Sequence, residues 1–235
     1  MDSLVAFLDI LGTKEMVNSG RFSDMTALDF VNVVGVAAIR KENIRFAIFS
    51  DSVIISCEKE FVHDFMVTIQ FIYGQWFSDH IFVRGGIDLG EINWVGYPTT
   101  DNRFDELRNL SYARVYGKAL IGAYEIERSS GPGAICYVSE DASKLLYQAN
   151  NNYILDGITD MLVWADKRLI DGLYKLFDFL MKDDKLSKKA ERHIRATFNY
   201  FSNLKKSGKS LAPIYDYSEL DLYEQKHLGK SQHEN

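Results

Sequence analysis

Two aspartates carry the clearest chemical signal in the sequence. Asp9 directly follows the apolar run at residues 5–8, and Asp51 lies between two β-rich segments at residues 44–49 and 53–57. If the first strand and this hairpin are neighbours in one sheet, the two carboxylates face one another at one end of it. Taken singly, each aspartate is more simply explained as a turn residue. Together they favour a Mg²⁺ or Mn²⁺ site, because these ions prefer oxygen ligands and substrate phosphates.

The elements that must position these aspartates follow from the apolar pattern, which predicts an α+β fold. Strands, helices and one hairpin alternate in the order β-α-β-β-α-β-α-β, which resembles ferredoxin-like arrangements. The predicted elements are a strand at residues 5–8, a helix at 24–39 capped by Ser23, a hairpin at 44–57 turning at 50–52, a helix at 61–77, a strand at 81–90, an irregular loop at 96–110, a helix at 115–128, a strand at 134–138 and a helix begun by Ser139. Two further helices are predicted at residues 169–181 and 188–204.

Composition excludes several classes of protein. The chain has 235 residues, of which 46% are hydrophobic and 26% charged, as in ordinary globular proteins. Its two cysteines, Cys57 and Cys136, exclude a disulfide scaffold and suit a reducing compartment. A net charge of −6 argues against binding a nucleic-acid backbone by charge. The sequence has neither an 18-residue apolar run nor a signal-peptide pattern, so we expect a cytoplasmic protein without a membrane partner.

Five short motifs resemble those of class III nucleotidyl cyclases, and they occur in the family's order. They are residues 7–12 (FLDILG) and 49–51 (FSD) for the two metal aspartates, 83–90 (VRGGIDLG) for an Arg-x-Gly-Ile strand, 116–123 for a glycine-opened helix, and 131–146 for the final strand and helix. Ser50 stands where the family usually has glycine. The resemblance implies a catalytic domain over residues 1–146 and a helical C-terminal extension over residues 147–235.

Departures from the family pattern concern the base and the transition state. Purine cyclases have Lys or Glu four residues before the second metal aspartate, and Asp or Cys three residues before the helix glycine. This chain has Ala47 and Arg114 there. The family's transition-state Asn and Arg are replaced by Ile121 and Glu125. The combination resembles the short bacterial pyrimidine cyclases of the Pycsar anti-phage system, which make cyclic UMP or cyclic CMP.

The resemblance implies a reaction and a set of site residues. The ribose 3′-hydroxyl attacks the α-phosphate and pyrophosphate leaves, with two divalent ions, Mn²⁺ or Mg²⁺, held by Asp9 and Asp51. Arg114 and Ala47 are expected at the base. Since uracil offers two carbonyl acceptors, a donor-only Arg114 favours UTP over CTP. The expected phosphate cradle consists of the backbone amides of Ile10, Leu11, Gly12 and Thr13.

Two basic residues, Lys118 and Arg84, are candidates for charge on the phosphates or the transition state. The simpler explanation is an exposed lysine for Lys118 and a strand arginine paired with a neighbouring acid for Arg84. Class III sites form between two chains and this sequence carries one such unit, so the resemblance also implies a homodimer. Two alternatives stay open: a degenerate cyclase-like module that binds nucleotide or only dimerises, and a purine cyclase with unusual base contacts.

Overall fold

The structure is a computed structural model that describes residues 2–20, 22–95, 114–182 and 187–212, without the side chains of Met25 and Arg114. The predicted irregular loop at residues 96–110 lies outside the described residues. The strands are β1 (Ser3–Ile10), β2 (Arg45–Phe49), β3 (Ser52–Glu58), β4 (Val83–Gly90), β5 (Asn93–Val95), β6 (Arg114–Tyr116), β7 (Cys136–Val138), β8 (Ile154–Leu155) and β9 (Met161–Leu162). The helices are α1 (Thr13–Asn18), α2 (Asp24–Arg40), α3 (Val62–Ser78), α4 (Lys118–Ser129), α5 (Glu140–Ala149), α6 (Lys167–Leu180) and α7 (Lys188–Ser207).

The α+β fold class predicted from the sequence is confirmed by the sheet topology. The main sheet has the strand order β2-β3-β1-β4-β7-β9-β8. Its first four strands are antiparallel and are connected in the ferredoxin-like β-α-β-β-α-β pattern, while β7 joins β4 in parallel. Residues Ser23 and Ser139 cap α2 and α5 as expected, since each hydroxyl accepts a hydrogen bond from the third backbone amide that follows it.

Alternating side chains of β1 point to two different faces of the sheet. Leu4, Ala6 and Leu8 are fully buried on the face covered by α2 and α3. Val5 and Phe7 belong to a second, smaller apolar cluster with residues of α4. Because side chains alternate along a strand, Asp9 lies on this second face, beyond the part that α4 covers.

Three local differences from the sequence prediction stand out. Val115 and Tyr116, predicted as helix, form strand β6 and pair with β5, because α4 begins only after Gly117 at a φ of 155°. Helix α1 has only 6 residues, none of them buried, so it has no apolar stripe to reveal it. Strands β8 and β9 have two residues each, too few for a period-2 pattern.

The C-terminal part packs against the same core as the N-terminal part. Strands β8 and β9 extend the main sheet, and the fully buried Trp164 stacks on Tyr73 of α3 at a centroid distance of 5.0 Å. The predicted boundary at residue 146 stays a prediction, and the segment beyond it contains strands as well as helices. Among the described residues, none of the helices combines the length and the apolar character that a membrane span requires.

Candidate active site

Asp9 is the penultimate residue of β1, at the edge of the apolar cluster, where it is half-buried. Its direct partner on β3 is Ser52, whose hydroxyl donates a 2.7 Å hydrogen bond to Oδ1 of Asp9. Its direct partner on β4 is Arg84. The carboxylate therefore sits between two strands that fix its position, on a face that α4 leaves partly open.

Asp51 occupies a two-residue hairpin turn between β2 and β3. Phe49 and Ser52 pair across this turn, and Ser50 adopts a left-handed φ of 58°, which glycine would tolerate without strain. The Ile10 amide donates to the Asp51 carbonyl at 3.1 Å. This bond joins the end of β1 to the hairpin, so Asp9 and Asp51 lie at the same end of the sheet.

The surroundings of Asp9, including Asp51, disfavour the charged form of its carboxyl group. Burial raises the pKa of the Asp9 carboxyl most, and the nearby negative charge of Asp51 raises it further. The Ser52 hydrogen bond and the Arg84 charge lower this pKa but do not cancel the rise. A half-buried carboxylate beside another carboxylate is an arrangement that a bound cation would stabilise.

The donor set fits Mg²⁺ or Mn²⁺ with part of the coordination shell left to water or phosphate. Asp9 and Asp51 offer only oxygen ligands, and no group of three or more His, Cys, Asp or Glu within the described ranges is placed to hold an ion. Mg²⁺ typically takes one or two carboxylates and completes its shell with water and substrate phosphates. Two carboxylates at one end of the sheet meet that requirement, whereas they would not make a closed structural site.

Two of the four backbone amides expected to bind phosphate are already used within the chain. The Ile10 amide is used by the Asp51 carbonyl, and the Leu11 amide donates to the Phe82 carbonyl at 2.8 Å, so neither amide is open to a phosphate. Gly12, at a left-handed φ of 81°, and Thr13 begin α1. Their amides form no hydrogen bond with any described residue and stay the candidates for this role.

Arg84 is held by acceptors of its own chain. Its Nε donates to Oε1 of Glu127 at 2.6 Å, Nη2 contacts the same oxygen, and Nη1 donates to the Gly131 carbonyl at 3.2 Å. Glu127 is only 4% exposed. Burial raises the pKa of this carboxyl, while the Arg84 guanidinium lowers it. The ion-pair interpretation of Arg84 thus describes its contacts, which engage each of its three nitrogens through one hydrogen.

The remaining predicted residues lie away from Asp9 within the same chain. Ala47 is buried in the small apolar cluster and offers no polar group. Arg114 is the first residue of β6, and its side chain is not described. Lys118 opens α4 near Glu91, whereas Glu127 at the other end of this helix reaches the Asp9 region. Nine residues of helix separate them by about 13 Å, so Lys118 cannot serve the Asp9 site of its own chain.

Sequence reasoning missed two residues of the site, Ser52 and Glu127. Ser52 was assigned to the turn, but it is the first residue of β3 and the direct partner of Asp9. Glu127 follows the buried Ala119 and Ala123 at four-residue intervals on α4. An acid that continues an apolar helical stripe signals a buried partner of opposite charge, and this spacing could have identified it.

Comparisons with known proteins give fold-level likeness only. No family model matches the chain, and no curated protein matches it. Among solved structures, it is similar to the adenylyl cyclase CyaB from P. aeruginosa, with 15% identity, 66% of this chain and 82% of that chain covered, and a TM-score of 0.45. It is also similar to the dimeric guanylyl cyclase domain of a RhoGC fusion protein from the aquatic fungus Blastocladiella emersonii, with 12% identity, coverage of 68% and 93%, and a TM-score of 0.47.

A third similar structure is a bacterial light-regulated adenylyl cyclase, with 13% identity, coverage of 73% and 97%, and a TM-score of 0.45. All three TM-scores lie below 0.5, so these likenesses carry no functional argument.

Proposed function

We propose that this protein is a metal-dependent nucleotidyl cyclase that acts on a pyrimidine nucleotide, UTP in preference to CTP. The observation that carries the proposal is the meeting of Asp9 and Asp51 at one open end of the sheet. Two carboxylates in this position create a site of negative charge that a divalent cation would neutralise. A purely structural protein gains nothing from placing a half-buried carboxylate beside a second one.

The proposed reaction is an intramolecular substitution at phosphorus. The ribose 3′-oxygen gives its proton to solvent and forms a bond to the α-phosphorus, while the bond from this phosphorus to the bridging oxygen of the β-phosphate breaks and pyrophosphate leaves with that electron pair. Two divalent ions, when bound, supply activation of the hydroxyl and neutralisation of the leaving charge. Asp9 and Asp51 would hold these ions, and the Gly12 and Thr13 amides would contact the phosphates.

The proposed preference for a pyrimidine base rests on Ala47 and Arg114, which stand where purine cyclases have their base-contacting residues. Ala47 is apolar and buried, so no charged side chain from this position can read a purine. Arg114 offers only hydrogen-bond donors, which suits the two carbonyl oxygens of uracil better than cytosine with its exocyclic amine. A role of the product as a second messenger in anti-phage defence is supported by the sequence resemblance alone.

A homodimer is part of the proposal because one chain does not assemble the whole site. Exposed apolar side chains lie on the face that carries Asp9: Phe49 is 75% exposed, Ile121 59% and Tyr124 43%. Tyr124 packs edge-on against Phe7, two residues before Asp9. A twofold axis over this face would bury these side chains and would bring the partner's Lys118 and Arg114 toward the Asp9 site.

The test is product analysis by mass spectrometry after incubation with Mn²⁺ and each of the four nucleoside triphosphates. We expect cyclic UMP as the main product, and loss of activity to below about 1% in Asp9→Asn and Asp51→Asn. Glu58→Gln is the matched control, since Glu58 is an exposed acid at the opposite end of β3, paired with Ser3. Wild-type activity is expected in this variant.

Other outcomes separate the alternatives. Preferred formation of cyclic AMP or cyclic GMP would favour a purine cyclase with unusual base contacts. Nucleotide binding without any cyclic product would favour a degenerate module. Unchanged turnover in both aspartate variants would refute the assignment of Asp9 and Asp51 as metal ligands.

A further inference from the structure

Arg84 is the natural competitor of a metal ion for Asp9. The two residues are direct partners on adjacent antiparallel strands, β1 and β4, and therefore project from the same face of the sheet. Directly opposed side chains in such a pair have Cβ atoms about 4.5–5.5 Å apart, and opposite charges at this separation attract. Without other acceptors, the Arg84 guanidinium would form an ion pair with the Asp9 carboxylate. This pair would neutralise one of the two negative charges that bind a cation.

The structure directs Arg84 elsewhere. Both Nε and Nη2 contact Oε1 of Glu127, and Nη1 donates to the Gly131 carbonyl, so the guanidinium is committed to α4 and the loop that follows it. No ion pair joins Arg84 to Asp9, although both side chains are described. Asp9 instead accepts a hydrogen bond from the neutral Ser52 hydroxyl.

Glu127 is held rigidly in this position. It is buried on α4, one turn after Ala123, and α4 lies so close to β4 that the Glu127 amide nitrogen would be 2.6 Å from a Cβ on Gly86. The acceptor loop is also fixed, because the amides of Gly133 and Ala134 donate to His193 and Thr197 of α7. Burial of Glu127 and the close packing of α4 on β4 therefore keep the carboxylate beside Arg84.

We propose that Glu127 is a positioning residue that holds Arg84 away from Asp9 and so keeps the Asp9–Asp51 pair available to a divalent cation. The inference rests on the proposed function, because it assigns Glu127 a role in the same metal site. A positioning role differs from a merely structural ion pair in one consequence. Removing the charge of Glu127 should weaken metal binding only while Arg84 is present.

The experiment measures Mn²⁺ binding alone, by the loss of the free Mn²⁺ electron paramagnetic resonance signal on titration with the intact protein. Glu127→Gln retains an acceptor of the same size but frees the Arg84 charge, and we expect the Mn²⁺ Kd to rise about 10- to 100-fold. In the double variant Glu127→Gln/Arg84→Met the competitor is gone, and we expect the Kd to return to within about threefold of wild type. Asp64→Asn, which breaks the Lys41–Asp64 pair between α2 and α3, is the control with unchanged binding.

Each outcome decides between the possibilities. A Kd in Glu127→Gln that equals that of the wild type would overturn the inference and leave the proposed function standing. A double variant that binds as weakly as Glu127→Gln would also overturn it, because the damage would then come from lost packing. If the wild type binds no Mn²⁺, the proposed function fails and the inference fails with it. Weak binding in the single variant with recovery in the double variant would support the inference.

Discussion

Helix α4 lies directly on the backbone of β4, and one added methyl group should dislodge it. A Cβ atom on Gly86 would lie 2.1 Å from the Ala123 carbonyl oxygen, whereas ordinary contact begins at 3.4 Å. In Gly86→Ala, α4 must therefore recede by about 1.3 Å, because the obstructing atoms are backbone and no rotamer change relieves the clash. Overpacking of this kind costs about 1–3 kcal/mol, which lowers Tm by about 2–12 °C in a chain of this size.

The assay is thermal unfolding followed by circular dichroism, combined with turnover of the proposed cyclase reaction. Displacement of α4 also moves Glu127 away from Arg84, and a misplacement of about 1 Å costs about 100-fold in rate. The matched control is Gly90→Ala on the same strand, where the added Cβ would make ordinary contacts with Cβ of Ala119 at 3.6 Å and its backbone nitrogen at 3.9 Å. We expect this control to gain about 0.4–1 kcal/mol of stability. Equal Tm values for the two variants would refute the close packing of α4 on β4.

Three further predictions concern polar groups that are fully or partly buried. Tyr200→Phe removes a 2.6 Å hydrogen bond to the Leu162 carbonyl and should cost about 1–3 kcal/mol in urea unfolding. Asp9→Asn should raise Tm in EDTA at neutral pH, because burial raises the pKa of Asp9 and its charged form destabilises the metal-free fold. Burial lowers the pKa of His193, so the neutral ring is favoured in the fold and stability should fall as pH drops below about 6.5. This loss should be smaller in His193→Gln, measured as the free energy of unfolding against pH.

Each of these predictions has an outcome that contradicts it. A Tyr200→Phe variant as stable as the wild type would mean that the Leu162 carbonyl has another donor. A lower Tm for Asp9→Asn in EDTA would show that the hydrogen bond from Ser52 outweighs the burial of charge. Parallel pH profiles for wild type and His193→Gln would assign the acid sensitivity to other groups.

Local patterns in the sequence were enough to place Asp9 at a strand and Asp51 in a hairpin turn. Asp51 falls in the hairpin because β-rich segments flank a short polar turn, and Asp9 lies near the end of β1 because the apolar run at residues 5–8 precedes it. These signals involve neighbouring residues only. The antiparallel pairing of β1 with β3 then follows from the order of elements, which is why the two carboxylates could be expected at the same end of the sheet.

Features that depend on distant contacts could not be predicted in this way. The Leu11 amide cannot donate to a phosphate because it donates to the carbonyl of Phe82, the residue that directly precedes β4. Glu127 lies 43 residues after Arg84 in the chain, and the two side chains meet only because α4 packs on the sheet. Neither of these two hydrogen bonds produces a periodic pattern in the sequence, because each depends on tertiary packing. The short strands β8 and β9 escaped prediction since two residues cannot show alternation.

The most direct test of the central claim is the position of Mn²⁺ in an anomalous difference map, from crystals grown with Mn²⁺ and a UTP analogue that has a methylene group between the α- and β-phosphorus atoms. We predict a peak within about 2.0–2.6 Å of carboxylate oxygens of both Asp9 and Asp51. A Mn²⁺ peak on the nucleotide with no contact to either aspartate would contradict the assignment of this pair as the metal site.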